Sequence, residues 1–251
     1  MKPTLHFQRF EFKYFLPKHR VPQLVAALRQ HMIWDPFYDA SKKGTYHVNS
    51  LYFDTPGYDC FWDKEAGVAD RKKLRLRYYG DLENGDSPVY VEIKRKKDAL
   101  ILKDRVGVRA NEAAGPALLA KLARLRAGKA NPNAEFTEEL AWFLRRNSLR
   151  PKLFISYDRT ALEAKRNREF RVSIDQNIQA REQFGLVPGK KSMAKIYPHG
   201  VVFEIKYQNI LPAWFQRVLQ KFELQRLAFS KYANAIRHVI PEFDDNNYLP
   251  V

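Results

Sequence analysis

The sequence predicts an α+β fold in which an antiparallel sheet closes into a β-barrel tunnel with helices packed outside it. Three observations support this prediction. Many strand candidates are separated by hairpin-like turns, and few candidate helices lie between them. Several strands carry charged residues on one face and apolar residues on the other. The helical stretches are amphipathic, as helices covering a sheet must be.

Composition shows that the chain can form a core and that it is strongly basic. It has 251 residues, 45% of them apolar, and a net charge of +16 at pH 7. This apolar fraction is enough for a real core and excludes a disordered chain. So large a basic excess predicts a polyanionic partner, which is nucleic acid, an anionic membrane surface or a dense phosphate compound.

The single cysteine and the absence of long apolar runs exclude several classes of protein. Cys60 is alone, so neither an intrachain disulfide nor a cysteine-cluster metal site is possible, and we expect a buried small side chain there. Residues 1–9 are polar and lack the apolar run of a signal peptide. No stretch approaches the roughly 18 apolar residues of a membrane span. We therefore expect a single domain over residues 1–251, soluble and cytoplasmic, with no membrane span of its own.

The first part of the chain is predicted to form five strands and one helix. Apolar residues at Leu24, Val25 and Leu28 form the stripe of the helix. The turn sequence Thr55-Pro56-Gly57 ends the second strand. In chain order, the predicted elements are a strand at 6–16, a helix at 22–32, and strands at 46–55, 71–79, 89–97 and 100–109.

The second part is predicted to alternate between helices and strands. Residues 111–128 are rich in Ala and Leu and end at a glycine, which favours a helix. A second helical stretch has Leu140, Phe143 and Leu144 on one face. The predicted elements after the first helix are a helix at 135–147, strands at 151–158, 169–175 and 201–208, and two amphipathic helices at 212–220 and 230–240.

The charged residues of the strands recur at a spacing of two. Side chains two residues apart in a strand point to the same face, so each charged set shares a face opposite an apolar one. A sheet with one solvated face explains any single strand. The charged faces hold Glu11 and Lys13; Arg71, Lys73, Arg75 and Arg77; Glu92, Lys94 and Lys96; Lys103 and Arg105; and Glu204 and Lys206.

Repeated cations on neighbouring strands predict an anionic ligand. Like charges directly opposite one another across strands cost tenths of a kcal/mol to about 1 kcal/mol per pair. If the sheet closes into a barrel, these charges line the interior while the apolar faces pack under the outer helices. Such a tunnel concentrates positive potential and suits a triphosphate or a polyphosphate chain.

Four carboxylates interrupt these cations, and they support two interpretations. Glu11, Glu92, Asp175 and Glu204 lie on predicted strands among Arg and Lys. Each can simply pair with a neighbouring cation. Alternatively, Glu204, Glu11 and Glu92 are oxygen ligands for Mn²⁺ or Mg²⁺ shared with phosphate.

A series of short motifs resembles a known family. In order, the matching stretches are Glu11-Phe-Lys13-Tyr14, Ser50-Leu-Tyr-Phe-Asp-Thr55, Leu74-Arg75-Leu-Arg77-Tyr-Tyr-Gly80, Glu92-Ile-Lys94, Lys103-Asp-Arg105, Tyr157-Asp-Arg159-Thr-Ala, Arg171-Val-Ser-Ile-Asp175, Glu204-Ile-Lys206 and Phe229-Ser-Lys231-Tyr232. They run from about residue 9 to residue 233. The chain resembles the vacuolar transporter chaperone (VTC) domain family of polyphosphate polymerases, within the wider CYTH-like triphosphate tunnel metalloenzymes.

The resemblance implies an eight-stranded closed tunnel that binds ATP and polyphosphate with Mn²⁺ or Mg²⁺. Glu204 matches the metal-binding glutamate of the family. Arg105 and Lys206, by alternation, and Tyr157, in its motif, are further candidates for substrate binding. The implied catalytic residues are Lys13, Arg75, Arg77, Lys94, Lys103, Arg159, Arg171 and Lys231.

The predicted function is metal-dependent transfer of the ATP γ-phosphoryl group to polyphosphate. Related triphosphatases carry a Glu-x-Glu-x-Lys signature, whereas Phe10-Glu11-Phe12-Lys13 has one carboxylate before the lysine. Two alternatives stay open: a triphosphatase that hydrolyses ATP or inorganic triphosphate, and a non-catalytic polyphosphate-binding protein. Nucleic acid is disfavoured because Phe10, Phe12 and Phe203 lie opposite the charged faces. Phe61-Trp62 is a candidate for stacking on adenine.

Overall fold

The computed structural model describes residues 10–37, 44–82, 85–97, 100–113, 134–186, 192–208 and 210–243. These residues form an antiparallel, sheet-rich α+β fold. The strands are β1 (Phe10–Pro17), β2 (Met32–Trp34), β3 (Tyr46–Asp54), β4 (Asp70–Tyr79), β5 (Pro88–Lys97), β6 (Leu100–Arg109), β7 (Arg150–Ala164), β8 (Arg171–Glu182), β9 (Ala194–Lys195), β10 (Gly200–Tyr207) and β11 (Arg226–Leu227). The helices are α1 (Val21–Arg29), α2 (Asp59–Glu65), α3 (Ala134–Arg146), α4 (Ala213–Lys221) and α5 (Lys231–Val239). None of these helices is long and apolar enough to span a bilayer.

The strands form one sheet whose order is β11-β1-β10-β8-β7-β3-β4-β5-β6, with β2 paired to β7 and β9 to β8. The predicted closed eight-stranded barrel is wrong. The sheet has eleven strands, of which eight are long and three have two or three residues. Within the described residues no ladder joins β6 to β1, and β11 occupies the outer edge of β1 through Lys13 opposite Leu227.

The open sheet is nevertheless strongly curled. Lys94 on β5 reaches across its concave side to Glu11 on β1, with the ammonium nitrogen 2.9 Å from both carboxylate oxygens. The curl follows from the right-handed twist that accumulates along a long antiparallel sheet. We call the space on the concave side the lumen. The predicted charged inner face is therefore present, on the concave side of a sheet that is not closed by hydrogen bonds.

Most predicted elements agree with the structure, and their ends differ. The helix predicted at 22–32 ends at Arg29 because Met32 begins β2, which pairs with β7. The strands predicted at 151–158 and 169–175 are both longer, since β7 and β8 pair along most of their length. Residues 6–9 and 114–128 lie outside the described residues, and residues 110–112 form a short 3₁₀ turn in place of helix.

The convex side of the sheet carries the apolar residues of the alternating strands. Leu74, Leu76 and Ile93 are buried in a cluster that includes Leu140 and Phe143 of α3. A second cluster joins residues of β1 and β10 to α1 and α4. Burying apolar area of this kind stabilises a fold by roughly 25 cal/mol per Å². The predicted outer position of helices is confirmed for α1, α3 and α4.

Helix α5 differs because it packs against the lumen face of the sheet. Its residues Tyr232 and Ile236 lie in a buried cluster with Val48, Tyr52 and Tyr157, which share the lumen face of β3 and β7. The Tyr232 hydroxyl donates to a buried carboxylate oxygen of Asp54, 2.6 Å away. For α5 the predicted outer position is therefore wrong. This helix fills one end of the lumen.

Candidate functional site

Twelve charged side chains gather in the lumen, and we call them the lumen network. They come from β1, β4, β5, β6, β7, β8 and β10 and from the first residue of α5. Eight are cations and four are carboxylates. The network consists of Glu11, Lys13, Arg75, Arg77, Glu92, Lys94, Lys103, Arg159, Asp175, Glu204, Lys206 and Lys231.

One part of the network is built around Lys13 on β1. Its ammonium nitrogen lies 2.9 Å from Glu11 and 3.8 Å from Glu204. Glu11 also accepts from Lys94, and Glu204 contacts Lys206. The arrangement follows from register, because Lys13 is directly opposite Glu204 and Glu11 is opposite Lys206.

The two carboxylates around Lys13, those of Glu11 and Glu204, are held in their ionised form. Burial, and Glu204 beside it, would raise the pKa of Glu11, but Lys13 and Lys94 hold that pKa well below its usual range. Burial is likewise overcome at Glu204 by Lys206 and Lys13, which keep its pKa low. The same pairing acts in reverse on Lys13, whose pKa is raised despite its burial. Opposite charges therefore outweigh desolvation at Glu11, Glu204 and Lys13, whereas at Lys94 burial prevails and lowers the pKa.

A second part is centred on Glu92, a buried residue of β5. Nε and Nη2 of Arg75 lie 2.8 and 2.7 Å from Oε2, and Lys103 donates to Oε1 at 3.0 Å. Burial lowers the pKa of Lys103 to about 8, although Glu92 opposes the shift. Arg75 also donates to the Tyr52 hydroxyl at 3.0 Å. Burial would raise the pKa of Tyr52, but Arg75 and Arg77 lower it to about 8.

A third part joins α5 to the sheet. Arg159 donates to both oxygens of Asp175, at 2.6 and 2.8 Å, and the ammonium of Lys231 lies 2.5 Å from the same carboxylate. Burial would raise the pKa of Asp175, but these two cations lower it to about 2. Lys231 also stands 4.8 Å above the ring of Tyr157, a cation–π distance.

Arg77 is the member whose partners are neutral. It is 5% exposed; Nε donates to Ser50 at 3.1 Å and Nη2 donates to Tyr157 at 3.0 Å. Within the described part of the chain, no carboxylate lies within ion-pair distance of this guanidinium. A buried charge is costly unless an opposite charge accompanies it. This position is therefore suited to an anionic ligand that brings its own charge.

The family model described as VTC domain matches residues 8–240 of the chain. The chain belongs to the VTC domain family. This confirms the resemblance to the VTC domain family found in the motifs. A search of curated proteins gives no match.

Three solved structures show remote likeness to this VTC domain. One is a candidate adenylate cyclase from Vibrio parahaemolyticus, 12% identical over 91% of this chain and 97% of that chain, with a TM-score of 0.45. A protein from Pyrococcus horikoshii is 11% identical over 90% and 96%, with a TM-score of 0.44. The third is a candidate adenylyl cyclase from Hippeastrum that has a dominant triphosphatase activity; it is 13% identical over 96% and 98%, with a TM-score of 0.47.

Among the residues predicted from sequence, two lie apart from the lumen network. Arg171 is on the lumen face of β8, but its side chain is 56% exposed, 3.7 Å from Glu163, and donates to the backbone of Arg168. Arg105 stands over the ring of Tyr90, 4.7 Å from its centroid. The other predicted catalytic, substrate-binding and metal-binding residues, Tyr157 included, meet in the VTC lumen, whereas Arg71, on the same charged face of β4, donates to the backbone of Val68.

Sequence reasoning gave no site role to three lumen residues that the structure brings to the network. Ser50 and Tyr52 hold Arg77 and Arg75, and alternation along β3 would have placed both on the lumen face. Lys73 stands 5.2 Å from the centroid of the Tyr232 ring. Burial lowers the pKa of Lys73 to about 8. The predicted adenine-stacking pair Phe61-Trp62 lies on α2, apart from the network: Phe61 is buried in the cluster that contains α5, and Trp62 is exposed.

The carboxylates of the VTC lumen differ in how well they suit a divalent cation. No cluster of three or more His, Cys, Asp or Glu suited to a metal occurs within the described ranges. Mg²⁺ is commonly bound through one or two carboxylates, with phosphate oxygens and water completing its shell. Glu11 and Glu204, ionised on either side of Lys13, fit that need. Glu92 fits less well, since Arg75 and Lys103 enclose it.

A separate cavity opens on the other face of the sheet. Its lining includes His47, Asn49 and Asp158, which lie on β3 and β7, and it contains no Lys or Arg among the described residues. A phosphate ligand needs cations or converging N–H donors. The cationic lumen is therefore the better candidate for the site of this VTC domain.

Proposed function

We propose that this VTC domain is a polyphosphate polymerase, which transfers the γ-phosphoryl group of ATP to the end of a polyphosphate chain in the lumen. The observation that carries the proposal is the buried guanidinium of Arg77, whose described partners are hydroxyls. ATP and polyphosphate are ligands that bring several negative charges into one narrow space. The proposed partners are thus ATP and polyphosphate, with no role for nucleic acid.

The charge balance of the network supports a polyanionic ligand. Among the twelve network residues, eight cations face four carboxylates, which leaves a remainder of four positive charges within the network. Each carboxylate already has at least one cation within 3.0 Å. A triphosphate carries about the charge needed to balance the remainder. Arg suits bidentate phosphate contacts, and Lys serves as a mobile point charge.

The proposed reaction needs positioning more than covalent help from the protein. A terminal phosphate oxygen of the acceptor chain attacks the γ-phosphorus in line. The new P–O bond forms as the bond from the γ-phosphorus to the β,γ-bridging oxygen breaks, and ADP leaves with that electron pair. Arg75, Arg77 and Arg159 hold and neutralise the non-bridging oxygens in this proposal. Since the acceptor oxygen is already ionised, no protein side chain must act as nucleophile or base.

Glu204 and Glu11 are the residues that would hold Mn²⁺ or Mg²⁺ together with phosphate oxygens. When bound, such an ion supplies further neutralisation of charge on the transferring group. Lys13 and Lys206 occupy these carboxylates in the present structure. Both lysines have flexible stems, so they are able to turn toward phosphate when another cation takes their place.

Two features favour a polymerase over a hydrolase. Water must lose a proton to become a strong nucleophile, and a general base works best when its pKa lies near the operating pH. The carboxylates of Glu11, Glu92 and Glu204 have pKa values well below their usual range, which makes them weak bases. An acceptor phosphate needs no such base. The second feature is the sequence before Lys13, which has one carboxylate, Glu11, where related triphosphatases have two.

The test is to incubate the purified protein with ATP and Mn²⁺ or Mg²⁺ and to resolve the products on a gel stained for polyphosphate. Arg77→Met and Glu204→Gln are the site variants. The matched control is Arg145→Met, which removes an exposed arginine of α3. We expect a metal-dependent ladder from wild type and from the control, and at least a hundredfold less polymer from both site variants.

The outcomes separate the three candidate functions. Orthophosphate and ADP without a ladder would replace the polymerase by a triphosphatase. Tight polyphosphate binding with no turnover of ATP would indicate a non-catalytic binding protein. A ladder that persists unchanged in Arg77→Met would refute the role given to the lumen. Thermal melting of each variant excludes loss of folding as the cause.

A further inference from the structure

We propose that four aromatic residues at one end of the lumen form a stacking platform for the nucleobase of the phosphoryl donor. These residues are Phe37, Tyr46, Tyr79 and Tyr90, and we call them the aromatic rim. The inference rests on the proposed function, because it needs a nucleotide whose phosphates lie in the lumen. It adds a base-binding site, which the phosphate-binding network does not contain.

The rings of the rim form one continuous chain of contacts. Phe37 and Tyr79 are nearly parallel, with ring planes 5° apart and centroids 6.4 Å apart. Tyr46 meets Tyr79 edge-on at 6.0 Å, and Tyr90 meets it edge-on at 6.1 Å. Asp35 accepts a hydrogen bond from the Tyr46 hydroxyl at 3.3 Å, which fixes this ring. The four rings are thus held in place by their contacts with one another and by the hydrogen bond to Asp35.

Two members of the rim are exposed to solvent. Phe37 is 73% exposed and Tyr79 is 42% exposed. Tyr90 differs, because the guanidinium of Arg105 already covers its face at 4.7 Å. Large aromatic side chains left exposed together are typical of a binding surface. Phe37 and Tyr79 are therefore the members that a planar ligand would contact.

The register of the sheet places the rim next to the phosphate-binding cations. Tyr90 is directly opposite Arg77 in the β4–β5 ladder, and Tyr46 is directly opposite Arg159 in the β3–β7 ladder. Tyr79 follows Arg77 by two residues on the same strand face, a separation of roughly 7 Å. The rim therefore borders the lumen at a distance that one ribose can span between a phosphate chain and a base.

The chemistry of a nucleotide matches this juxtaposition, whereas that of inorganic polyphosphate does not. A nucleoside triphosphate joins a planar base to a polyanion through one sugar, and every base has a face that stacks on an aromatic ring. A polyphosphate chain has no such face. The rim would thus distinguish the donor nucleotide from the acceptor polymer, although both are held by the same cations.

Within the described residues, the aromatic pair at the opposite end of the lumen offers no comparable surface. There the rings of Tyr52 and Tyr232 stack on each other at 5.3 Å, and both are buried between the sheet and α5. A base cannot enter a contact that two protein rings already fill. The aromatic residues at the two ends therefore differ in role: one pair packs α5, and the other end is open to a ligand.

The test compares binding of β,γ-imido-ATP, which resists transfer, with binding of inorganic tripolyphosphate by isothermal titration calorimetry. The variants are Phe37→Ala, Tyr79→Ala and the double variant. The matched control is Trp142→Ala, which removes a 54% exposed aromatic from α3. We expect the double variant to bind the nucleotide roughly tenfold more weakly and to keep its affinity for tripolyphosphate. The control should bind both ligands as wild type does.

Each other result counts against a stated part of the reasoning. No loss for either ligand would overturn the rim as a base platform while leaving phosphate binding in the lumen intact. Equal loss for both ligands would also overturn it, because the substitutions would then act on phosphate binding or on folding and not on the base. If wild type binds no tripolyphosphate, the proposed function fails, and the rim proposal fails with it. Retained tripolyphosphate binding also shows that a variant is folded. Phe37→Tyr, which keeps the ring, should retain nucleotide affinity within about twofold.

Discussion

Polyphosphate affinity should fall steeply as pH rises from 7 to 9. Burial lowers the pKa of Lys103 and of Lys73 to about 8, and Arg75 and Arg77 overcome burial to lower that of Tyr52 to about 8. All three groups therefore change charge within this range in the free protein. Deprotonation removes two positive charges from the lumen and adds one negative charge.

The magnitude follows from proton linkage. A polyanion favours the ammonium form of each lysine and the neutral form of Tyr52, so binding raises all three pKa values. If binding raises a pKa of about 8 well above 9, that group alone weakens affinity about tenfold between pH 7 and pH 9. Three such groups give an upper limit of about a thousandfold, or about 4 kcal/mol.

The assay is isothermal titration of tripolyphosphate at constant ionic strength, in pairs of buffers with different ionisation enthalpies. This design measures the affinity and the number of protons taken up. Tyr52→Phe should remove about one tenfold step between pH 7 and 9 while leaving Lys103 and Lys73 in place. An affinity that stays flat across this range, with no proton uptake at pH 8.5, would refute the assignment of these pKa shifts to ligand-binding groups.

Three further predictions concern stability. The pKa of Asp175 is lowered to about 2, so its contribution of about 2 kcal/mol to the free energy of unfolding is present above its ordinary pKa near 3.8 and is lost as pH falls toward 2. Because Glu11, Glu92 and Glu204 also have lowered pKa values, urea unfolding at pH 5 and pH 2.5 compares wild type with Asp175→Asn. Wild type should lose about 1–2 kcal/mol more than the variant, and an equal loss would contradict the prediction. Glu92→Gln leaves two cations without their buried partner and should cost about 3–5 kcal/mol, partly restored by tripolyphosphate in a melting assay; an unchanged melting temperature would contradict this. Gly200→Ala should lower the free energy of unfolding by about 1–3 kcal/mol, because the added Cβ would lie 1.9 Å from the Phe15 ring. Urea unfolding measures this loss, and an unchanged free energy of unfolding would show that the Phe15 ring moves freely.

Alternation along the strands made membership of the lumen network predictable from sequence. Lys13, Arg75, Glu92 and Glu204 each lie on the face that a spacing of two assigns to them. This succeeds because a strand places successive side chains on opposite faces whatever its neighbours are. The convex apolar faces and three covering helices follow from the same rule.

The pairing within the network could not be predicted in this way. The contact of Lys94 with Glu11 joins β5 to β1, which share no ladder within the described residues, so it depends on how far the sheet curls. Curl is the sum of many small twists and has no local signature in sequence. Closure failed as a prediction for a related reason. Charge on one face indicates a concave surface, whereas hydrogen bonding between the edge strands is a separate condition.

The position of α5 could not be predicted because its sequence resembles that of an outer helix. Its apolar stripe has the same period as those of α1 and α4, and periodicity does not say which side of the sheet the stripe meets. The decisive residues are polar ones at its start. Lys231 contacts Asp175 and Tyr232 donates to Asp54, and both carboxylates are buried on lumen-facing positions.

These two contacts connect the position of α5 to the charge of the lumen. Lys231 belongs at once to the helix and to the network, so it can meet a bound phosphate only by sharing or leaving Asp175. Arg159 would then hold Asp175 alone through its two hydrogen bonds. The hydrogen bond between Tyr232 and Asp54 does not involve the network cations and would keep α5 in place. A ligand can therefore recruit Lys231 without displacing the helix that closes this end of the lumen.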